Sequence, residues 1–156
     1  MRRTVTGFAD AVVMARGLGT TWSTAHELVE VVAAHRDRTI EIAEADLTGT
    51  GITGTVLSGG DRDTIVHATG LPPFFAEHVI FHEVSHLLCG HLDGAPATVG
   101  PMTHRHHENA PHEQEAELLA TAFAHLRSER GRTPPGGAVA DDGGLAATLA
   151  PHLLTR

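Results

Sequence analysis

The chain has 156 residues, 41% of them apolar and 19% charged, which suits one folded domain with its own core and is too short for two. Its formal charge of −8, with only 11 Lys plus Arg, provides no basic stripe to neutralise phosphates and speaks against direct nucleic-acid binding. The single cysteine, Cys89, excludes an internal disulfide and a multi-cysteine zinc cluster and fits a reducing, cytoplasmic compartment, and no stretch approaches the roughly 20 apolar residues of a membrane span.

Met1-Arg2-Arg3 has the charge of an export signal, but Asp10 and Arg16 interrupt the apolar run such a signal needs, so it is read as part of the folded domain. Residues 4–16 and 22–35 read as helices, the second opened by Ser23 or Thr24 as cap, with a break at 17–21. Thr39-Ile-Glu-Ile-Ala-Glu-Ala45 alternates with the period of a half-buried strand. Residues 52–57 and 64–68 read as two more strands, joined by the turn-rich Ser58-Gly59-Gly60-Asp61 as a hairpin.

Pro72 and Pro73 open an apolar helix over 74–91. Residues 92–111, rich in Gly, Pro and His, read as a loop beside or over the site; 112–130 is the next helix. The pattern is α+β, a small antiparallel or mixed three-stranded sheet packed on helices, with a domain over 1–130. Residues 131–156 form a Pro/Gly-rich tail that ends in a short helix over 145–154.

The helix over 74–91 carries the chemistry. His82-Glu83-Val84-Ser85-His86 spells HExxH, and on a helix the two histidines lie one turn apart, about 40° around the axis, so both imidazoles reach one metal ion. Glu83, beside the first of them, is placed to take a proton from an attacking water. Thirteen histidines raise the odds of a chance match, but the setting argues against one. Ile80, Val84, Leu87 and Leu88 form one stripe and Phe75, Val79, His82 and His86 the opposite one, so the helix is expected to be buried on two sides.

A catalytic zinc takes three protein ligands and keeps one position open. In His112-Glu113-Gln114-Glu115-Ala116-Glu117, positions 113 and 117 share a face with Ala120 and Ala124, whose small side chains allow another helix close, while Glu115 points away. Glu113 is therefore the expected third ligand and Glu117 the acceptor that orients a ligand histidine; the alternative is a solvated acidic first turn. A three-histidine HExxHxxGxxH site would need Gly at 89 and His at 92, where Cys89 and Leu92 stand, so His91 reads as a helix-end residue. Cys89 reads as a small buried hydrophobe. His104, Arg105, His106 and His107 are candidates to contact substrate or stabilise an oxyanion, with a plain polar loop as the alternative.

The segment His78-Val79-Ile80-Phe81-His82-Glu83-Val84-Ser85-His86-Leu87-Leu88-Cys89-Gly90-His91 resembles the active helix of ImmA/IrrE metallo-endopeptidases, and Glu113-Gln114-Glu115-Ala116-Glu117 with Ala120 resembles their downstream ExEA(N/D)xxA segment. The resemblance covers 22–128. It implies a zincin-like metallopeptidase fold with one Zn²⁺ per chain, Glu113 as third ligand, and a protein or peptide substrate such as a helix-turn-helix repressor. Ser85 replaces the family's usual Gly, Glu117 its Asn or Asp, and the Leu-Leu-x-Pro sequence after the downstream helix is missing. Two other functions compete: a non-catalytic zinc-containing module that regulates by binding a partner, and a histidine-rich metal buffer.

Overall fold

The structure is a computed structural model that describes residues 4–93 and 110–131. The first helix, α1 (Phe8–Gly17), starts later than the expected residue 4 because β-branched Thr4, Val5 and Thr6 and the extended Gly7 (φ −165°, ψ 172°) precede it. The Thr6 hydroxyl donates to Asp10 Oδ2 at 2.5 Å and fixes the entry. The second, α2 (Ala25–Arg36), begins behind Trp22 rather than with it, because Thr24 and Glu27 form a capping box: Thr24 Oγ1 accepts from Glu27 N–H at 3.2 Å and Glu27 Oε2 from Thr24 N–H at 3.1 Å.

Strand β1 (Thr39–Ala45) has the expected bounds. Strands β2 (Gly54–Gly59) and β3 (Arg62–Ala68) run closer to their shared turn than 52–57 and 64–68, because Gly60-Asp61 alone makes the reversal, with Gly60 at φ 55°. The sheet order is β1-β3-β2, with β1 parallel and β2 antiparallel to the central β3. Of the two sheet types expected, the mixed one is present.

The third helix, α3 (Pro73–Leu88), follows the extended Pro72 and stops three residues short of His91. Gly90 takes φ 65°, and the His91 N–H donates to the His86 carbonyl at 3.0 Å, closing the helix and turning the chain back. The last described helix is α4 (Ala110–Gly131). The expected loop over 92–111 lies mostly, and the expected terminal helix over 145–154 wholly, outside the described residues. The described residues thus form an α+β fold of four helices and a small mixed sheet. None of these helices is long and apolar enough to cross a membrane.

An aromatic cluster positions the two helices that matter. Trp22, Phe81 and Phe123 are fully buried, with ring centroids 5.7 to 6.3 Å apart in edge and tilted geometry. Each contributes roughly 2 to 3 kcal/mol by leaving water. The cluster holds α3 against α4, and the fully buried Ala116 and Ala120 let the two helices approach. Most of α3 from Val79 to Leu87 is buried, as expected for a helix covered on two sides; Phe75, expected in line with Val79, is instead 42% exposed near the open end of the helix.

Candidate metal centre

Helix geometry places the imidazoles of His82 and His86 on one side of α3, their ring centroids 4.9 Å apart. Glu113, in the first turn of α4, reaches the same point. His82 Nε2 is 3.2 Å from Glu113 Oε2, His86 Nε2 is 3.3 Å from Glu113 Oε1, and the two Nε2 atoms are 3.1 Å apart. The expected trio is therefore brought together, with His86 2% exposed and His82 and Glu113 near one fifth.

Glu117, one turn after Glu113, accepts from Nδ1 of His82 at 3.2 Å, as expected of an orienting acceptor. Its other oxygen faces His78 Nε2 at 3.1 Å. A carboxylate at Nδ1 puts the proton of neutral His82 there and leaves a lone pair on Nε2. Glu113 Oε1 is buried and finds no hydrogen-bond donor among the described residues.

These donor atoms fit a metal cation. Two ligands at ~2.0–2.1 Å from a tetrahedral ion stand about 3.3 Å from each other, close to the three separations here. Lone pairs converging with a buried carboxylate repel one another unless a positive charge sits between them. Two imidazoles and one carboxylate suit an ion of intermediate softness.

Glu83 is 8% exposed and lies against the start of β2. Burial pushes its carboxyl up to about 8, and the negative charge of Glu113 adds to the shift. Gly54 makes the position possible: a Cβ there would meet Val79 Cγ1 at 2.4 Å and Glu83 Oε1 at 3.1 Å. Ser85 is fully buried and donates to the Phe81 carbonyl at 2.6 Å, so its hydroxyl is satisfied within the helix.

Glu115 points away from the Glu113 and Glu117 face, as expected, yet it is not a solvated residue. It accepts from the Val5 N–H at 2.6 Å and meets His91 Nε2 at 2.9 Å. His91, expected to be a helix-end residue, lies beyond the helix end, with Nδ1 2.9 Å from Nδ1 of His86. Cys89 is buried in the core as expected, and its sulfur stands near His91 and Glu115. His104, Arg105, His106 and His107 lie outside the described residues.

Sequence reasoning missed three contributors: His78, Gly54 and the inward role of His91. His78 precedes His82 by one helical turn, so the 3.6-residue period could have found it. An isolated glycine in a strand signals close approach of another element, which applies to Gly54. A comparison with protein-family models, with curated proteins and with solved structures found no match to this chain.

Proposed function

We propose that the protein is a zinc-dependent hydrolase of the zincin-like kind that cleaves a peptide bond. The observation that carries this is the convergence of His82, His86 and Glu113 on one point beside the buried carboxyl of Glu83. His82, His86 and Glu113 would hold the ion. Zinc, when bound there, supplies positive charge that polarises a substrate carbonyl and lowers the proton affinity of nearby acids. Glu83, largely removed from bulk solvent, would take a proton from the attacking water and return it to the leaving amine. Glu117 keeps His82 in the tautomer that ligates.

Two features favour a peptide as substrate. Strand β2 pairs only with β3 among the described strands, and its first residue lies against Glu83, so an extended chain can align on its outer edge by main-chain hydrogen bonds. The likeness of the segments 78–91 and 113–120 to ImmA/IrrE endopeptidases supports the same reading. The net charge of −8 suits a basic partner such as a DNA-binding repressor better than DNA itself.

Metal analysis of the purified protein is expected to give one zinc per chain. With a peptide library as substrate and mass spectrometry as readout, Glu83→Gln is expected to keep that zinc and lose about 10²-fold or more in cleavage rate. Undiminished cleavage by the variant would sink the mechanism. An unchanged regulatory effect of the variant in cells would instead favour the non-catalytic interaction module.

A further inference from the structure

Only one nitrogen of His86 faces the metal centre. Nε2 stands among the donors of His82 and Glu113, while Nδ1 points to the far side and lies 2.9 Å from Nδ1 of His91. A close contact between two imidazole nitrogens needs one proton between them, so one ring donates and the other accepts. The remaining nitrogen of His91 decides which.

His91 Nε2 is 2.9 Å from Glu115 Oε2, and an ionised carboxylate only accepts. Glu115 is fixed in turn by the Val5 N–H, which donates to its other oxygen at 2.6 Å. Neutral His91 therefore carries its proton on Nε2, and its Nδ1 accepts from His86. His86 is left with a proton on Nδ1 and a lone pair on Nε2, where a metal needs it. A His91 protonated on both nitrogens would do the reverse, because it would donate to His86 and place the proton of His86 on Nε2.

The chain of contacts is largely covered, although His91, His112 and Glu115 line a cavity. The side chains of His86 and His91 are each 2% exposed and that of Glu115 13%, and the His112 ring stacks parallel on His91 at 4.1 Å. In such a setting each hydrogen bond is electrostatically stronger and its direction harder to reverse than in water.

We propose that His91, held by Glu115, is a positioning residue for the metal centre: it fixes the tautomer and ring orientation of His86 from the side opposite the ion. The proposal rests on the metal-centre reading above. The Cys89, His91 and Glu115 donors lie within 4.8 Å of one another and could be taken for a second ion site. An ion there would take His91 Nε2 away from its contact with Glu115 and so replace the relay, and the zinc stoichiometry of Cys89→Ala separates the two readings.

The test is zinc affinity of the full chain, measured by competition with a chromophoric chelator, for the wild type, His91→Leu and His91→Asn. These two replacements have nearly the same shape, but only Asn offers an oxygen near the place of Nδ1. His91→Leu is expected to weaken zinc binding by about 10- to 100-fold, and His91→Asn to recover most of that loss. Long-range ¹H–¹⁵N correlation spectra of the zinc-loaded wild type, which need no variant to fold, are expected to show the His91 proton on Nε2.

Equal affinity of the wild type and a folded His91→Leu would overturn the proposal, as would a His91 proton on Nδ1. Leu equal to or better than Asn would assign His91 to packing alone. A second zinc equivalent that disappears in Cys89→Ala would replace the relay with an ion site. Absence of any zinc binding by the wild type would refute the metal centre itself, an outcome distinct from all of these.

Discussion

The distance between α3 and the sheet is set by one hydrogen atom, the side chain of Gly54. A methyl group there would overlap Val79 Cγ1 and crowd the carboxyl of Glu83, and neither neighbour is free to retreat, since Val79 and Glu83 are both buried. Gly54→Ala is therefore expected to cost about 1 to 3 kcal/mol, the usual penalty of overpacking, and to move Glu83 out of line. Urea denaturation checks the first expectation and zinc-loaded peptide cleavage the second; an Ala variant equal to wild type in both would refute the close approach. The residues of the site were legible in the sequence to very different degrees. His82, Glu83 and His86 were readable because a single helical turn places them, with no tertiary information required. Glu113 needed one further step, the face it shares with Ala120. The inward turn of His91 could not be read, because it depends on Gly90 adopting φ 65° at the end of α3, and a helix continued to residue 91 points the ring elsewhere.

Between elements, the decisive joint is that of α2, β1 and the hairpin. Arg38, directly before β1, grips Asp63 at the start of β3 by two contacts, Nε to Oδ2 at 2.8 Å and Nη2 to Oδ1 at 3.0 Å, and donates to the Gly60 carbonyl at 2.9 Å. This clamps the parallel pair in register with Thr39 opposite Arg62. Burial alone would raise the Asp63 carboxyl, but hydrogen bonds from Arg38 and Ser58 and the positive charge of Arg38 overcome it and hold the group below its usual value. A depressed carboxyl stabilises the fold at pH above its unfolded value near 4, and this contribution fades as pH falls through the lower folded value. Arg38→Met leaves the carboxylate buried without its partner and is expected to cost roughly 2 to 3 kcal/mol at pH 7, somewhat less than a fully buried pair because Arg38 is partly exposed. As pH falls the gap between variant and wild type should narrow, first as the unpartnered carboxylate of the variant takes up a proton and then as the wild-type group does at its lowered value; denaturation curves at pH 7 and pH 3 decide. The alternation of residues 39–45 was enough to read β1, and Gly59-Gly60 enough to read a reversal. Strand order was beyond the pattern, because alternation is the same in a parallel and an antiparallel neighbour, and the ties between β1 and β3, the Arg38 to Asp63 contact among them, join residues far apart in sequence.

The proposed metal centre belongs to the molecule as a whole and not to its motif. His86 and Glu113 are separated by 27 residues (113 − 86), and they meet because Phe81 of α3 and Phe123 of α4 share a core with Trp22. An unfolded chain keeps the two histidines near each other but loses the carboxylate, so its affinity for the ion is far lower. Binding to the folded state alone stabilises by RT ln(1 + [L]/Kd), about 2.7 kcal/mol at a free zinc concentration a hundredfold above Kd. For a chain of this size that corresponds to a rise in Tm of roughly 5 to 10 °C. Scanning calorimetry with zinc and with a chelator is expected to show this shift for the wild type. Glu113→Gln should lose most of it, because an amide oxygen brings no charge to balance the ion, yet it should melt close to wild type once zinc is removed. The same substitution thus separates the core face of α4, through Ala116, Ala120 and Phe123, which the variant leaves intact, from the proposed ligand face through Glu113, which it removes. If Glu113→Gln kept the full zinc-dependent shift, α4 would serve only as packing, and the centre would reduce to two histidines on one helix.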